Sequence, residues 1–327
     1  MAKLAVTGNT VHVAVAVITR DAAMGVREVL ISKRAANVHQ GGLWEFPGGK
    51  VELGESVQCA LRRELAEELG IEIALADNSL SPLIQIHHDY GDKQVLLDVF
   101  ELSAFNGTPF GQEGQQVRWV PVSELEKFEF PAANTPIISA CQLPFRISIT
   151  PALATLADAR QYLEHLQSID ISHVILRQPG WHIEQYCSWA EVLLSEFEGS
   201  RLRVLLHGDP TLLKNIPGAH VHLPAAVALR HQSLSDYKNA SFSMSCHDRL
   251  ELDHARELGV KFVTLSPIAV TSSHPEAIPI GWKCFSSLVD GSNVPVYALG
   301  GMTDSDVSVA RQHGAQGIAA ITAWALD

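Results

Sequence analysis

Apolar positions near the start of the chain follow a two-residue period. VHVAVAVITR (11–20) and REVLISKRA (27–35) are rich in β-branched residues, and DAAMG between them reads as a short connection, so the pair predicts two adjacent strands. The period changes over 55–69. Leu61, Leu65 and Leu69 recur every fourth residue with Cys59 and Ala60 beside them, which predicts a helix whose leucine face is core. Glu55 or Ser56 starts this helix, and Gly70 stands where a left-handed cap ends it. LIQIHHDY (83–90) and KQVLLDVFEL (93–102) flank a Gly91-Asp92 turn as a hairpin. VRWVPV (117–122) is a further strand, and two short helical pieces flank Pro131.

From Leu143–Pro151 onward the rhythm is different. Short apolar runs at 145–150, 172–178, 202–208, 219–223, 241–246, 260–266, 294–301 and 316–322 alternate with helical stretches that include 153–167, 184–198, 249–258 and 304–313. Eight strands alternating with helices predict an α/β architecture, a closed (β/α)8 barrel of the TIM type, with a doubly wound open sheet as the alternative.

With 327 residues and 46% apolar composition, two domains are expected, at 1–142 and 143–327. The formal net charge of −12 argues against duplex nucleic acid as a partner, while leaving room for a nucleotide held through a cation. Cys59, Cys141, Cys187, Cys246 and Cys284 are scattered, without zinc-type spacing, as expected of reduced thiols in a cytoplasmic protein. The apolar N-terminal run is short and alternating, so it reads as a strand, and no membrane partner is expected.

The helix carries a problem of charge. Glu64, Glu67 and Glu68 share one face at i, i+3 and i+4, where like charges repel by a few tenths of a kcal/mol per pair. A hard divalent cation would offset this, since Mg²⁺, or Mn²⁺ as the alternative, takes oxygen ligands together with substrate phosphates. Just upstream, Pro47-Gly48-Gly49 lets backbone approach phosphate closely. Arg63 is placed to pair with a neighbouring Glu.

Gly49, five residues, Glu55, seven residues, Arg63-Glu64-Leu65, one residue, Glu67-Glu68, one residue and Gly70-Ile71 together match the Nudix box. Residues 10–140 resemble the MutT-type branch, the 8-oxo-dGTP diphosphatases, through Ser32–Ala36, His39, Leu43–Lys50, Phe110–Gln115 and Phe130–Pro136. The resemblance implies an α/β/α sandwich around a mixed sheet. It implies metal ligands at Glu64, Glu67 and Glu68, with Gly48 in the metal set and Glu113 as an extra ligand or water-orienting base. Glu55 and Arg63 would support them, and Gly48 and Gly49 would shape the loop. Arg34 would contact phosphate or base and Asn134 the purine edge; His39, Lys50, Phe46 and Tyr90 complete the implied substrate site, the two aromatics walling the base. An amide suits O6 and the N7–H that guanine carries only when oxidised. The implied reaction is Mg²⁺-dependent hydrolysis of 8-oxo-dGTP to the monophosphate and pyrophosphate. Lys93 stands where some relatives carry another basic residue. The competing readings are an N-cap role for Asn134, a surface charge at Arg34 and an exposed loop acid at Glu113.

Residues 145–327 resemble thiamine-phosphate synthase and its TenI-like relatives, most clearly through Val296–Met302 and Gly314–Thr322. The resemblance implies a phosphate cradle at Gly300, Gly301, Ile321 and Thr322, and so a phosphorylated small ligand. Arg177, Ser245, His247, Thr271 and Ser273 also fall near family positions. Gln178-Pro179-Gly180 lacks the expected lysine, His207-Gly208 replaces an Asn-Asp pair, Pro224-Ala225-Ala226 lacks an acid, and Ser273-His274 lacks another lysine. These departures argue against thiamine-phosphate synthesis and leave an inactive barrel or a different ligand. His207, His220, His222 and His247 read as hydrogen-bonded barrel lining or, alternatively, metal ligands. The fusion motivates one rival, hydrolysis of a thiamine diphosphate analogue, against which Asn134 argues; a second rival is a sensor in which the barrel binds a phosphorylated ligand and the first domain responds.

Overall fold

A computed structural model describes residues 10–73, 80–271 and 276–326. The chain divides into two compact units, one ending at Leu143 and the next starting at Pro144.

The first unit is a mixed sheet between two helical layers. Its strands are β1 (Thr10–Asp21), β2 (Arg27–Lys33), β3 (Trp44–Glu45), β4 (Gly48–Lys50), β5 (Leu80–Asp89), β6 (Gln94–Leu102) and β7 (Val117–Pro121). The sheet runs β3-β2-β1-β6-β5, with β4 added on β1 and β7 on β2. β1 lies parallel to β6 and antiparallel to β2 and β4. Alternation along β1 divides the core. Ala14, Ala16 and Ile18 pack with Leu61, Leu65 and Leu69 of α1 (Val57–Leu69), whereas Val15 and Val17 pack with Ile137 and Ile138 of α2 (Thr135–Gln142). Ser56 is the residue that caps α1, its side chain accepting from the Cys59 N–H, and Gly70 ends the helix at φ 65°.

The second unit is a closed barrel. Its strands are β8 (Arg146–Ile149), β9 (His173–Leu176), β10 (Arg203–His207), β11 (His220–Leu223), β12 (Ser241–Cys246), β13 (Val263–Leu265), β14 (Val296–Leu299) and β15 (Gly317–Ala320). All neighbours are parallel, and β15 closes onto β8. This settles the choice between barrel and open sheet. Around it lie α3 (Leu156–Ser168), α4 (Ile183–Glu196), α5 (Ala225–Ala228), α6 (Arg249–Leu258), α7 (Gly281–Val289) and α8 (Val307–Gln312). Every strand expected from the sequence forms. β3, β4, α5 and α7 are additional, the first three too short to show a period. All five cysteines are free thiols, with Cys141, Cys187 and Cys246 buried. Among the described residues no helix is long and apolar enough to cross a membrane.

Candidate functional site

The first unit brings carboxylates to a loop that has no side chains. β4 pairs with β1 so that Ala14 faces Gly49 and Val15 faces Gly48, and the Ala16 N–H bonds the Pro47 carbonyl at 2.8 Å. The pairing holds the Gly48–Gly49 backbone under α1. A Cβ on Gly49 would come within 2.1 Å of the Glu64 carboxyl carbon, so glycine is required for that carboxylate to sit where it does. Gly48 has φ 145°, and a Cβ there would meet the Ala14 carbonyl at 2.1 Å.

Glu68 points back to this loop and accepts from the Gly48 N–H at 3.3 Å. Burial pushes its carboxyl up to about 8, and the neighbouring carboxylates of Glu45, Glu64 and Glu113 add to the rise against the Gly48 hydrogen bond. Glu113 arrives on the exposed loop after β6. That loop is tied to the end of α1: the Gln112 N–H and the Gln115 side-chain amide both donate to the Glu68 carbonyl at 2.9 Å, and the Glu113 N–H donates to Gln115 Oε1 at 2.9 Å.

Arg63 fixes the other side. Its guanidinium donates to both Glu55 oxygens at 3.2 and 3.0 Å, to Glu64 Oε1 at 2.9 Å and to the Lys50 carbonyl at 3.0 Å. These bonds hold Glu55 below the usual carboxylate range and push Arg63 further up. Glu67 is 59% exposed and lies 3.5 Å from Arg63, on the outer edge of the cluster. Lys50 is exposed, and its carbonyl is the atom bonded here.

Glu45 belongs to the site although the sequence reading singled out only its neighbours. Burial raises its carboxyl despite its ion pair with Arg34. In the sequence it is only an acid between two aromatics at the head of the glycine loop; the pairing of β3 with β2 (Lys33 with Trp44, Ser32 with Glu45) is what brings it to Arg34. Arg34 also donates to the His39 carbonyl at 3.2 and 3.0 Å, so the guanidinium is tied into the protein on both sides.

A second group of predicted residues surrounds Asn134. The side chain is 9% exposed and its Oδ1 has no hydrogen-bond partner. It stands at the N-terminus of α2 but its side chain caps nothing there. The preceding residue, Ala133, hydrogen-bonds the Tyr90 hydroxyl through its backbone, and Tyr90 meets His39 edge-on at 5.2 Å. Phe46 is 3% exposed and stacks on Phe130 at 5.4 Å, in the core cluster that contains Ala133. A buried acceptor without a donor is costly, of order 1–3 kcal/mol.

The donor set suits a hard cation. Glu45, Glu64, Glu68 and Glu113 offer only oxygen, and their mutual repulsion raises Glu68. Among the described residues no three His, Cys, Asp or Glu side chains already converge as a metal-ready group; Glu45, Glu64 and Glu113 lie close enough to act on Glu68, whereas Glu67 stays on the outer edge beside Arg63.

In the barrel, Gly300 (φ 101°) and Gly301 (φ 70°) follow β14, and Ile321 and Thr322 follow the adjacent β15, so the two loops share the C-terminal end of the barrel. Arg177, Gly208, His247 and Thr271 also follow strand ends, whereas Ser273 and His274 lie outside the described residues. His220 and His222 are hydrogen-bonded lining, each with serine on both ring nitrogens.

Fold and site together define a two-part α/β protein, with a carboxylate helix and glycine loop on a mixed sheet followed by a parallel barrel. Residues 14–140 match the NUDIX domain family and residues 147–324 the thiamine monophosphate synthase family, and the chain belongs to both. It is 36% identical over 112 residues to the 8-oxo-dGTP diphosphatase of Escherichia coli K12, covering 34% of this chain and 84% of that protein. It is 34% identical over 130 residues to the CTP pyrophosphohydrolase of the same organism, covering 40% of this chain and 90% of that one. The barrel region is 45% identical over 84 residues to the putative thiamine-phosphate synthase 2 of Aquifex aeolicus, covering 26% of this chain and only 45% of that relative.

Proposed function

We propose that the first domain is a nucleoside triphosphate pyrophosphohydrolase that prefers 8-oxo-dGTP, releasing 8-oxo-dGMP and pyrophosphate and so removing a mutagenic precursor from the nucleotide pool. The observation that carries the hydrolase reading is the set of carboxylates gathered over Gly48 and Gly49. In it, Glu64, Glu67, Glu68 and Glu113, with Gly48, would hold Mg²⁺ or Mn²⁺; when bound, such a cation neutralises phosphate charge and acidifies a coordinated water. Arg63 keeps Glu64 and Glu55 in place. Gly48 and Gly49 add no side chains of their own, which leaves the space over the loop to the Glu64 and Glu68 carboxylates and to the cation-bound phosphates they would meet. A carboxylate of this set takes the proton of the attacking water, with Glu113 as the extra ligand or the water-orienting base. Arg34, His39 and Lys50 border the phosphate and base, Tyr90 and Phe46 support the base pocket, and the Asn134 amide reads the purine edge. The barrel takes a phosphorylated small ligand at Gly300, Gly301, Ile321 and Thr322.

The base preference rests on the unpartnered buried Asn134 oxygen, an acceptor suited to the N7–H of an oxidised guanine. A second reading, a pyrimidine nucleotide, is favoured by the similarity to the CTP pyrophosphohydrolase. Hydrolysis of 8-oxo-dGTP, dGTP, CTP and a thiamine diphosphate analogue, measured side by side with Mg²⁺, separates these. A clear preference for 8-oxo-dGTP that Asn134→Ala removes by about 10-fold or more supports the reading, since one lost buried hydrogen bond is worth about 1–3 kcal/mol. Equal rates on 8-oxo-dGTP and dGTP overturn it.

A further inference from the structure

Two barrel strands carry their polar residues in step. β11 reads His-Val-His-Leu and β12 reads Ser-Phe-Ser-Met-Ser-Cys, with His220 paired to Ser241 and His222 to Ser243. The two-residue period of a strand puts His220, His222, Ser241, Ser243 and Ser245 on one face, the barrel interior, and Phe242 and Met244 on the other, against the helical layer.

The five polar side chains form one unbroken chain of hydrogen bonds. Ser241 Oγ lies 2.7 Å from His220 Nδ1, and His220 Nε2 lies 2.8 Å from Ser243 Oγ. Ser243 Oγ lies 2.8 Å from His222 Nδ1, and His222 Nε2 lies 2.9 Å from Ser245 Oγ. The middle is sealed: Ser243 is 0% and His222 2% exposed, and Phe262 stacks on both imidazoles at 5.7 and 6.0 Å. The ends are not, since Ser241 and Ser245 are both partly exposed. At about 3.3 Å per residue the chain spans about 13 Å, from the N-terminal end of the barrel to its C-terminal end.

A serine hydroxyl has one hydrogen and a neutral imidazole has one N–H. Ser243 therefore donates to one histidine and accepts from the other, because any other arrangement leaves a polar atom unsatisfied in a sealed site. Two arrangements meet this condition. In one, both histidines carry the proton on Nε2 and every bond points toward Ser245; in the other, both carry it on Nδ1 and every bond points toward Ser241. Burial holds both imidazoles below their usual range, so neither state places a charge in the core.

We propose that this Ser–His–Ser–His–Ser chain is a proton relay that serves a ligand presenting a basic nitrogen or anionic oxygen to Ser245 at the C-terminal end of the barrel. From the Nε2 state, Ser245 passes its hydroxyl proton to the ligand atom and takes the proton of His222 Nε2. His222 Nδ1 takes the Ser243 hydroxyl proton, Ser243 takes that of His220 Nε2, and His220 Nδ1 takes that of Ser241. Ser241 is reprotonated by water, whose hydroxide leaves to bulk. One proton has moved from solvent to ligand, each O–H and N–H bond broken has been replaced, and the chain rests in the Nδ1 state. The reverse sequence accepts a proton from the ligand.

The test is imidazole ¹⁵N–¹H spectroscopy on the full chain labelled with [¹⁵N]histidine, with His220 and His222 assigned through His220→Gln and His222→Gln. The relay requires both residues to carry the proton on the same-named nitrogen and to exchange between tautomers at one shared rate, slower in D₂O. Ser243→Ala cuts the chain and removes the shared rate. Ser245→Ala, at the partly exposed end, shifts the tautomer ratio of His220 as well as that of His222, which keeps the test decisive if Ser243→Ala does not fold. Protons on differently named nitrogens, a locked tautomer, unequal rates in the unmodified chain, or a Ser245→Ala effect confined to His222 overturns the proposal.

Discussion

Gly49 leaves room for the carboxylate of Glu64. A methyl group there would overlap that carboxylate at 2.1 Å, so Gly49→Ala displaces Glu64 from the loop. The expected outcome is a large loss of kcat with far-ultraviolet dichroism unchanged, together with weaker Mn²⁺ binding by electron paramagnetic resonance. Glu68 supplies a pH signature at the same scale. Its folded carboxyl sits up at about 8, well above the usual carboxylate value near 4.5, because it is buried among other acids. The folded metal-free chain therefore holds a proton that the unfolded chain gives up near 4.5. Stability of the first domain falls as pH rises from about 4.5 to about 8 and then levels off. Thermal unfolding in chelator across that range measures the fall, and excess Mg²⁺ abolishes it. Glu68→Gln removes the trend in chelator as well.

At the scale of the element, α1 does two jobs on two faces. Leu61, Leu65 and Leu69 are fully buried against Ala14, Ala16 and Ile18, and this packing holds the acidic face rigid against its own repulsion. Leu65→Ala costs about 2–5 kcal/mol of first-domain stability by the usual cavity relation, read as an earlier denaturant midpoint. Arg63→Ala has a different signature. It frees Glu55 and Glu64, leaves the leucine face intact, and lowers kcat much more than it lowers stability. The helix bounds, the leucine stripe and the Gly70 cap were legible because each depends on spacing within one segment. Glu45 was not, because its place in the site comes from cross-strand pairing of β3 with β2 and from burial that its local sequence does not encode.

At the scale of the whole molecule, the two units carry opposite kinds of titratable core. The first buries carboxylates; the barrel buries histidines. Burial holds His173 and His207 down at about 4 and His220 at about 3, with His222 also lowered. These groups are neutral in the fold, while the unfolded chain protonates them near 6.5. The barrel's stability is therefore whole above about 6.5 and is lost as pH falls from there toward about 4. Unfolding scans between pH 7.5 and 5 should move the barrel transition down in temperature, and His222→Gln should flatten that dependence.

The sequence by itself determined the strand and helix periods, the eight-strand alternation, the spacing that gathers Glu64, Glu67 and Glu68 on one helix face, and the glycines that carry no side chain. All of these are set by contacts within a few residues. Tertiary structure decided closure of the barrel over an open sheet, since β15 meets β8 some 170 residues away in the chain. It also decided which carboxylates share a space, that the Asn134 oxygen is left without a partner, and that two histidines and three serines on neighbouring strands join into one line. Those outcomes depend on register between strands and on exclusion of water, which arise only when distant segments pack.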